Sequence, residues 1–445
     1  MSQGTQWRNW SGLVHAEPSQ VLTPSSTDEV AQIVTDAARA GQRVKPIGSG
    51  HSFTPIAVAD DVQLRMDRMD RLVALDADSG LVTVQGGMPL HALNPLLAAA
   101  GLAMTNLGDI DRQTIAGAIS TSTHGTGARF GSIATQVRAL RLVLADGSDV
   151  RCSATEEPEL FAAARVGLGA LGVIAEVTLQ CEPAFVLRAV EAPLPLAQTL
   201  DELPGLVDDN DHFEFFWFPH TTTALTKTTA RLPAGVELRP VGRLHDLLVN
   251  RLATNTVLDL ALRFGTRVPH AIPAITRGLT RAMGPSEVVD QSYKVFASTR
   301  ETRFNEGEFA IPRAAVVDVV REIDRWVASH DEKIGFPLEV RFTAADDIWL
   351  APTYERETAY IAFHAYHQHP YQRYFAAMQD VLGAAGGRPH WGKMHDLDAA
   401  ALRPRYPRFD DFVAVRDKLD PTGVFANDYL DRVLGPCPEA AGHGR

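Results

Sequence analysis

Gly48-Ser49-Gly50-His51-Ser52 is the stretch from which the rest of the chain is best understood. It follows an apolar, strand-like segment, Val44 to Ile47, and precedes Phe53-Thr54-Pro55. Glycines at alternate positions let the backbone approach a ligand closely and adopt angles that side chains forbid, so a histidine held there would rest against whatever is bound. On its own the run also reads as an ordinary Gly/Ser turn, the commoner use of such residues.

Working outward, Ser25-Ser26-Thr27 offers helix caps ahead of Asp28 and Glu29. Val30, Ile33, Val34, Ala37 and Ala38 then recur at helical spacing up to Gly41. Downstream, Leu72 to Leu75 and Leu81 to Gln85 form a hairpin across the turn residues Asp76 to Gly80. Gly86-Gly87 leads to a helix between Pro89 and Gly101, and Ala103 to Leu107 reads as a strand. Such alternation indicates an α/β or α+β domain.

With 445 residues, two or three domains are expected. An apolar content of 45% and a charged fraction of 22% are those of a globular protein. The 54 acidic against 42 basic side chains, net charge -12, disfavour a nucleic-acid partner, and no basic stripe offsets them. Cys152, Cys181 and Cys437 are too few and too far apart for a metal cluster or a disulfide framework, so no metal and a reducing compartment are expected. Met1 to Gly12 lacks the pattern of a signal peptide, and no apolar run reaches the roughly 20 residues of a transmembrane segment. A cytoplasmic location is expected, with peripheral membrane association left open.

A second informative stretch runs from Thr114 to Gly127, Thr-Ile-Ala-Gly-Ala-Ile-Ser-Thr-Ser-Thr-His-Gly-Thr-Gly, without one charged side chain. Small residues, hydroxyls and glycines at this density can surround a pyrophosphate, or can form a self-bonded Ser/Thr loop. Gly125-Thr126-Gly127 lacks the third glycine and the following acidic residue of a dinucleotide fingerprint, which disfavours a Rossmann nicotinamide site. Val137 to Ala145 and Asp149 to Cys152 make another hairpin, Glu157 to Arg165 a helix, and Gly167 to Gly172 a third glycine-rich entry to a strand, Val173 to Leu179.

These motifs, GSGHS at Gly48 to Ser52, IAGAISTSTHGTG at Ile115 to Gly127 and LGALGVIAEVTL at Leu168 to Leu179, resemble the FAD-binding domain of the vanillyl-alcohol oxidase superfamily, in particular its aldonolactone oxidoreductase branch. The resemblance implies an α+β, two-domain flavoprotein with an FAD-binding domain and an antiparallel-sheet cap. It implies FAD contacts from Gly48, Ser49, Gly50, His51, Ser52, Thr114, Ser120, Ser122, His124, Gly125, Thr126, Gly127 and Ile174. His51 becomes the candidate for a covalent bond to the flavin.

Composition shifts after Cys181-Glu182-Pro183, so the expected domains are 1–182 for FAD, 183–385 for the cap and 386–445 for a returning C-terminal segment. Phe213, Phe215 and Trp217 mark a buried strand, residues 242–285 read as helical, and Phe304 to Ile311 is extended. Pro312 opens a helix with Val316, Val320, Ile323 and Val327 on its core face. In Leu338 to Thr343, alternation places Glu339 and Arg341 side by side. In Tyr360 to His367 it groups Tyr360, His364 and Tyr366. From pattern alone, a solvated face with a surface ion pair is favoured. His390-Trp391-Gly392-Lys393, however, resembles the HWGK signature of aldonolactone and alditol oxidases, and Leu419 to Leu430 resembles the closing segment of the family. The resemblance then places substrate chemistry on Glu339, Arg341, His364 and Lys393.

Oxidising a secondary alcohol removes a hydride from carbon and a proton from oxygen, and histidine is the side chain best poised to take that proton near neutral pH. The expectation is that His364 accepts it and Arg341, oriented by Glu339, stabilises the developing alkoxide. Lys393 would stabilise negative charge on substrate oxygen or reduced flavin. The implied substrate is an aldono-1,4-lactone oxidised beside its carbonyl to ascorbate or an analogue: L-gulono-1,4-lactone first, then the L-galactono- and D-arabinono-lactones. The alternatives are an alditol oxidase acting on xylitol or sorbitol, which Tyr366 disfavours because the alditol oxidase pattern has a small hydroxyl residue there, and a flavin-holding protein without turnover. Electrons would pass to oxygen or to a cytochrome- or quinone-type acceptor.

Overall fold

The computed structural model describes residues 6–240, 258–298 and 302–439. In the first part, Ser26 caps the helix Thr27–Arg39, its hydroxyl accepting the Glu29 amide at 3.2 Å, and Gly41 closes it at φ +65°. That helix delivers the chain into a parallel three-stranded sheet ordered β1 (Gln20–Leu22), β3 (Val62–Arg65), β2 (Val44–Ile47), so the Gly48 loop starts at a sheet edge. Beside it lies a five-stranded antiparallel sheet of β4 (Leu72–Asp76), β5 (Leu81–Gln85), β6 (Val137–Val143), β7 (Asp149–Ser153) and β8 (Val173–Gln180). Its order is β7-β6-β8-β5-β4. Where a strand is expected over Ala103 to Leu107, the two-residue strand Leu102–Ala103 forms instead. The Gln136 side chain takes the next partners, accepting from the Thr105 amide and donating to the Asn106 carbonyl, both at 2.9 Å.

The cap is one eight-stranded antiparallel sheet of β9 (Phe185–Pro195), β10 (His212–Trp217), β11 (Thr223–Pro233), β12 (Ser286–Gln291), β13 (Phe304–Pro312), β14 (Leu338–Thr343), β15 (Thr358–Tyr366) and β16 (Arg388–Pro389), ordered β12-β9-β11-β10-β14-β15-β13-β16. One face buries Phe213, Phe215, Val340, Phe342, Ile361 and Phe363 under the helices Val316–His330 and Gln372–Ala384. The expected Val316, Val320, Ile323 and Val327 all belong to that core. Leu258–Arg267 and Ile272–Ala282 are helices, whereas 242–257 of the segment expected to be helical lies outside the described residues.

Two short stretches cross the expected boundaries. Ile348, Leu350 and Ala351, between β14 and β15, pack in the core of the first domain, and β16 remains in the cap before Trp391 enters that same first core. The two domains are also stitched through the backbone. Where β10 stops pairing with β14 at Arg341, Thr126 and Gly127 take over: the Thr126 hydroxyl donates to the Phe213 carbonyl and accepts the Phe342 amide at 3.2 Å, while Gly127 donates to the Phe342 carbonyl at 2.7 Å. Thr126→Val removes the acceptor of that amide and should cost about 1–3 kcal/mol, read as a lower midpoint of denaturant unfolding; an unchanged midpoint would remove this seam from the account.

Candidate active site

The inner face of the cap carries the ionisable residues because directly opposed residues on antiparallel strands share a face. In one row Lys227 stands opposite Glu214, Glu214 opposite Arg341 and Arg341 opposite Tyr360. In the next, Glu339 and Glu308 both stand opposite Ala362, and beyond them Glu306 stands opposite His364. This face is covered by the first domain, with Glu339 5% and His364 4% exposed. The solvated face with a surface ion pair that the pattern favoured is therefore corrected: apolar residues on the outer face had said nothing about what lies against the inner one.

Two cavities meet beneath this face. One, about 740 Å³, lies between Gly108-Asp109 and His124 of the first domain and Glu306, Glu308, Glu339, Arg341, His364 and Lys393. The other, about 890 Å³, runs between the Gly48 loop, Thr114 to Thr121 and the stretch Leu168 to Ile174. His51, Ser52, Gln113 and Thr121 border both.

In the first cavity, the Arg341 guanidinium lies in a box of carboxylates. Its Nε donates to Glu214 at 2.9 Å, its Nη2 pairs with Glu339, and Asp109 stands 3.8 Å from Nη2. Burial opposes its charge, but Glu339, Glu214 and Asp109 outweigh that and hold it firmly protonated. Lys227 shares Glu214 at 3.0 Å. A second group centres on Glu306, whose Oε2 pairs with Lys393 and whose Oε1 lies 3.4 Å from His364 Nε2. Burial opposes the Glu306 charge too, and Lys393 and His364 overcome it, so its carboxyl is held well below the usual range. His364 Nδ1 lies 3.1 Å from the Pro337 carbonyl, which can only accept, so Nδ1 carries the proton.

A third group joins the domains. His124 stacks on Tyr360 with centroids 3.5 Å apart, and its Nε2 is 3.3 Å from Glu308. Burial would raise the Glu308 carboxyl, but His124 and its neighbours bring it down to about 2. His124, Glu308 and His390 place ligand-type atoms within 4.8 Å of one another. His390 Nδ1, however, accepts the Gly392 amide at 3.0 Å, which leaves the ring proton on Nε2, the state of a hydrogen-bond donor and not of a metal ligand.

Of the residues expected at the cofactor, Gly48, Ser49, Gly50, His51, Ser52, Thr114, Ser120 and Ile174 line the 890 Å³ cavity, and His124 lines the other. Ser122, Gly125, Thr126 and Gly127 line neither. Thr126 and Gly127 are committed to the seam, and Gly125 sits so close to the Leu107 carbonyl that a Cβ would lie 2.1 Å from its oxygen. Tyr366 also stays outside the 740 Å³ cavity: its hydroxyl donates to Asp259 at 3.0 Å and accepts from Arg263 at 3.2 Å, so its bulk pins a helix and does not fill the substrate space. The sequence reading missed Glu306, Glu308 and Asp109. The two glutamates had a signal, since they alternate within a segment already read as extended.

Residues 177–433, more than half of the chain, match the family described as D-arabinono-1,4-lactone oxidase, and residues 18–153 match the FAD binding domain. The chain belongs to the FAD-dependent aldonolactone oxidoreductases. This oxidoreductase is 45% identical to L-gulono-1,4-lactone dehydrogenase of Mycobacterium tuberculosis, over 97% of its chain and 99% of that protein. It is 34% identical to L-gulonolactone oxidase of Bos taurus, over 97% and 99%, and 31% identical to alditol oxidase of a Streptomyces species, over 96% and 98%. Among solved structures, cholesterol oxidase from B. sterolicum has the same fold, with a TM-score of 0.79 at 19% identity over 97% of this chain and 96% of that one.

The 890 Å³ cavity fits FAD on its own terms. Among the described residues it is lined without a single carboxylate, in a chain of net charge -12, and its wall includes Lys45, whose amine burial brings down to about 7. Its walls also meet where side chains cannot: a Cβ on Gly48 would lie 2.3 Å from Thr114 Oγ1, and one on Gly86 2.2 Å from the Ile174 carbonyl. Among the described residues, no helix is long and apolar enough to cross a membrane.

Proposed function

We propose that this enzyme oxidises L-gulono-1,4-lactone, and less readily the L-galactono- and D-arabinono-lactones, at the hydroxyl next to the lactone carbonyl, giving ascorbate or an analogue. The observation that carries this is the meeting of two unlike cavities at His51. One is free of carboxylates among the described residues and suited to a dinucleotide; the other is lined by acid-base side chains. Bound FAD supplies the hydride acceptor. Asp109, Glu306, Glu308 and Glu339 against Arg341 and Lys393 leave the substrate cavity with an excess of negative charge, which suits a neutral, hydroxyl-rich lactone and repels the carboxylate formed when a lactone hydrolyses.

His364 takes the hydroxyl proton on Nε2, because Nδ1 is already protonated and held by Pro337. Arg341, fixed by Glu214 and Glu339, stabilises the alkoxide, a contribution on the order of 3 kcal/mol. Lys393 places a second positive charge at the cavity wall. His51 forms the covalent attachment: burial, then the charges of Lys393 and Arg112, bring its pKa down to about 4, so the imidazole is neutral and nucleophilic at physiological pH. Three buried, unpaired cysteines suit a reducing compartment such as the cytoplasm.

The 45% identity to a lactone dehydrogenase, against 31% to an alditol oxidase, favours the lactone. Turnover measured with an added acceptor should be at least tenfold greater in kcat/KM with L-gulono-1,4-lactone than with xylitol or sorbitol. The reverse order would make the protein an alditol oxidase.

A further inference from the structure

We infer that Glu306 is the positioning residue for proton removal: its carboxylate holds His364 and Lys393 together and stabilises the imidazolium formed when His364 takes the substrate proton. The inference rests on the assignment of His364 as proton acceptor. Glu306 is fixed opposite His364 by the register of β13 and β15, is 5% exposed, and lines the substrate cavity with both partners. One carboxylate oxygen faces His364 Nε2 at 3.4 Å and the other pairs with Lys393.

The Pro337 carbonyl keeps the His364 proton on Nδ1, so an incoming proton has only Nε2 to occupy, the nitrogen that Glu306 faces. In the reaction the substrate O–H bond breaks and its proton ends on Nε2. The electron pair left on oxygen forms the second carbon–oxygen bond as hydride leaves the carbon for the cofactor. The ring thus gains a positive charge beside a carboxylate that was buried beforehand, and the interaction strengthens as the transition state forms. Lys393 alone would oppose that charge; with Glu306 between them the two cations are separated by an anion.

The other groups around His364 do not replace Glu306. Phe304 and Phe336 flank the ring with centroids at 5.2 and 6.1 Å and carry no charge. Of the further ionisable residues in the cavity, Glu339 and Asp109 are engaged with Arg341 and Glu308 with His124. On the far side, Glu332, Lys333, His369 and Tyr366 line a separate cavity of about 530 Å³ that His364 also borders.

The test is the pH profile of flavin reduction in anaerobic single turnovers of the holoenzyme with L-gulono-1,4-lactone, comparing wild type, Glu306→Gln and Glu306→Asp. Removing the anion makes the imidazolium easier to deprotonate and a poorer acceptor. Glu306→Gln should therefore move the acidic limb at least one pH unit lower and reduce the plateau at least tenfold, with the lactone dissociation constant changed less than threefold. Glu306→Asp, which keeps the charge, should keep the limb within half a unit of wild type. A carboxylate that merely supports the fold would lower the plateau or the flavin content and leave the limb in place, and that result overturns the inference. Should Glu306→Gln fail to fold, Glu306→Ala, which also removes the charge, is read through the same limb: a fall of at least one pH unit supports the inference and an unmoved limb overturns it. Absence of flavin reduction in the wild type would instead contradict the lactone assignment, so the two failures are distinguishable.

Discussion

Arg341→Ala should slow reduction of the flavin by lactone about a hundredfold or more and destabilise the protein at the same time. Both effects come from one arrangement. The guanidinium is the cation shared by Glu214, Glu339 and Asp109, and Glu214 is itself nearly inaccessible, with Lys227 as its other partner. Deleting the arginine leaves three largely buried carboxylates with one ammonium, and breaking a buried pair in this way costs about 3–5 kcal/mol. It also removes the positive charge at the place where the alkoxide forms. Arg341→Lys keeps the charge but loses the planar fork that spans Glu214 and Glu339, so it should recover stability more fully than rate. Unfolding midpoints and single-turnover reduction rates, measured on variants matched for flavin content, separate the two effects. Reduction within threefold of wild type in Arg341→Ala would remove the alkoxide role.

His51→Ala should transfer nearly all of the flavin from the acid-precipitated pellet to the supernatant. In the wild type the pellet should stay yellow, because His51 borders both cavities and its imidazole is neutral above about pH 4, free to be alkylated by the flavin. Its ring lies nearly parallel to that of Trp10, with centroids 6.0 Å apart. The variant should still bind FAD, since the Gly48, Gly86 and Thr114 contacts are untouched. Flavin in the supernatant from wild-type protein would contradict the covalent bond and leave the binding site standing.

The cofactor side was the more legible in the sequence because backbone shape announces itself there. Gly48 in a strand exit and Gly172 at the end of the third glycine-rich stretch are positions where a Cβ would strike Thr114 Oγ1 or the Val143 carbonyl, and both line the larger cavity. Thr126 and Gly127 carry the same kind of residue for another reason, as a backbone patch extending the cap sheet, and composition does not separate the two uses. On the substrate side, strand alternation grouped Glu339 with Arg341 and set His364 on one face with Tyr360, and the family likeness gave them, with Lys393, a substrate role. What stayed hidden was pairing across strands distant in sequence. Glu306 meets His364 and Lys393, and Glu214 meets Arg341, only once the order β10-β14-β15-β13 is known. Burial was hidden for the same reason, because the cover over that face comes from residues such as His124 in the other domain.

Every residue role above depends on hydride passing from an aldonolactone to bound FAD. The most direct measurement is to mix the purified, oxidised protein anaerobically with L-gulono-1,4-lactone and follow the visible absorbance of the flavin, which requires no knowledge of the electron acceptor. Complete bleaching in a single exponential whose rate saturates with lactone concentration is the predicted result. A yellow protein left unbleached by L-gulono-, L-galactono- and D-arabinono-lactones, or a colourless one that takes up no added FAD, would contradict it.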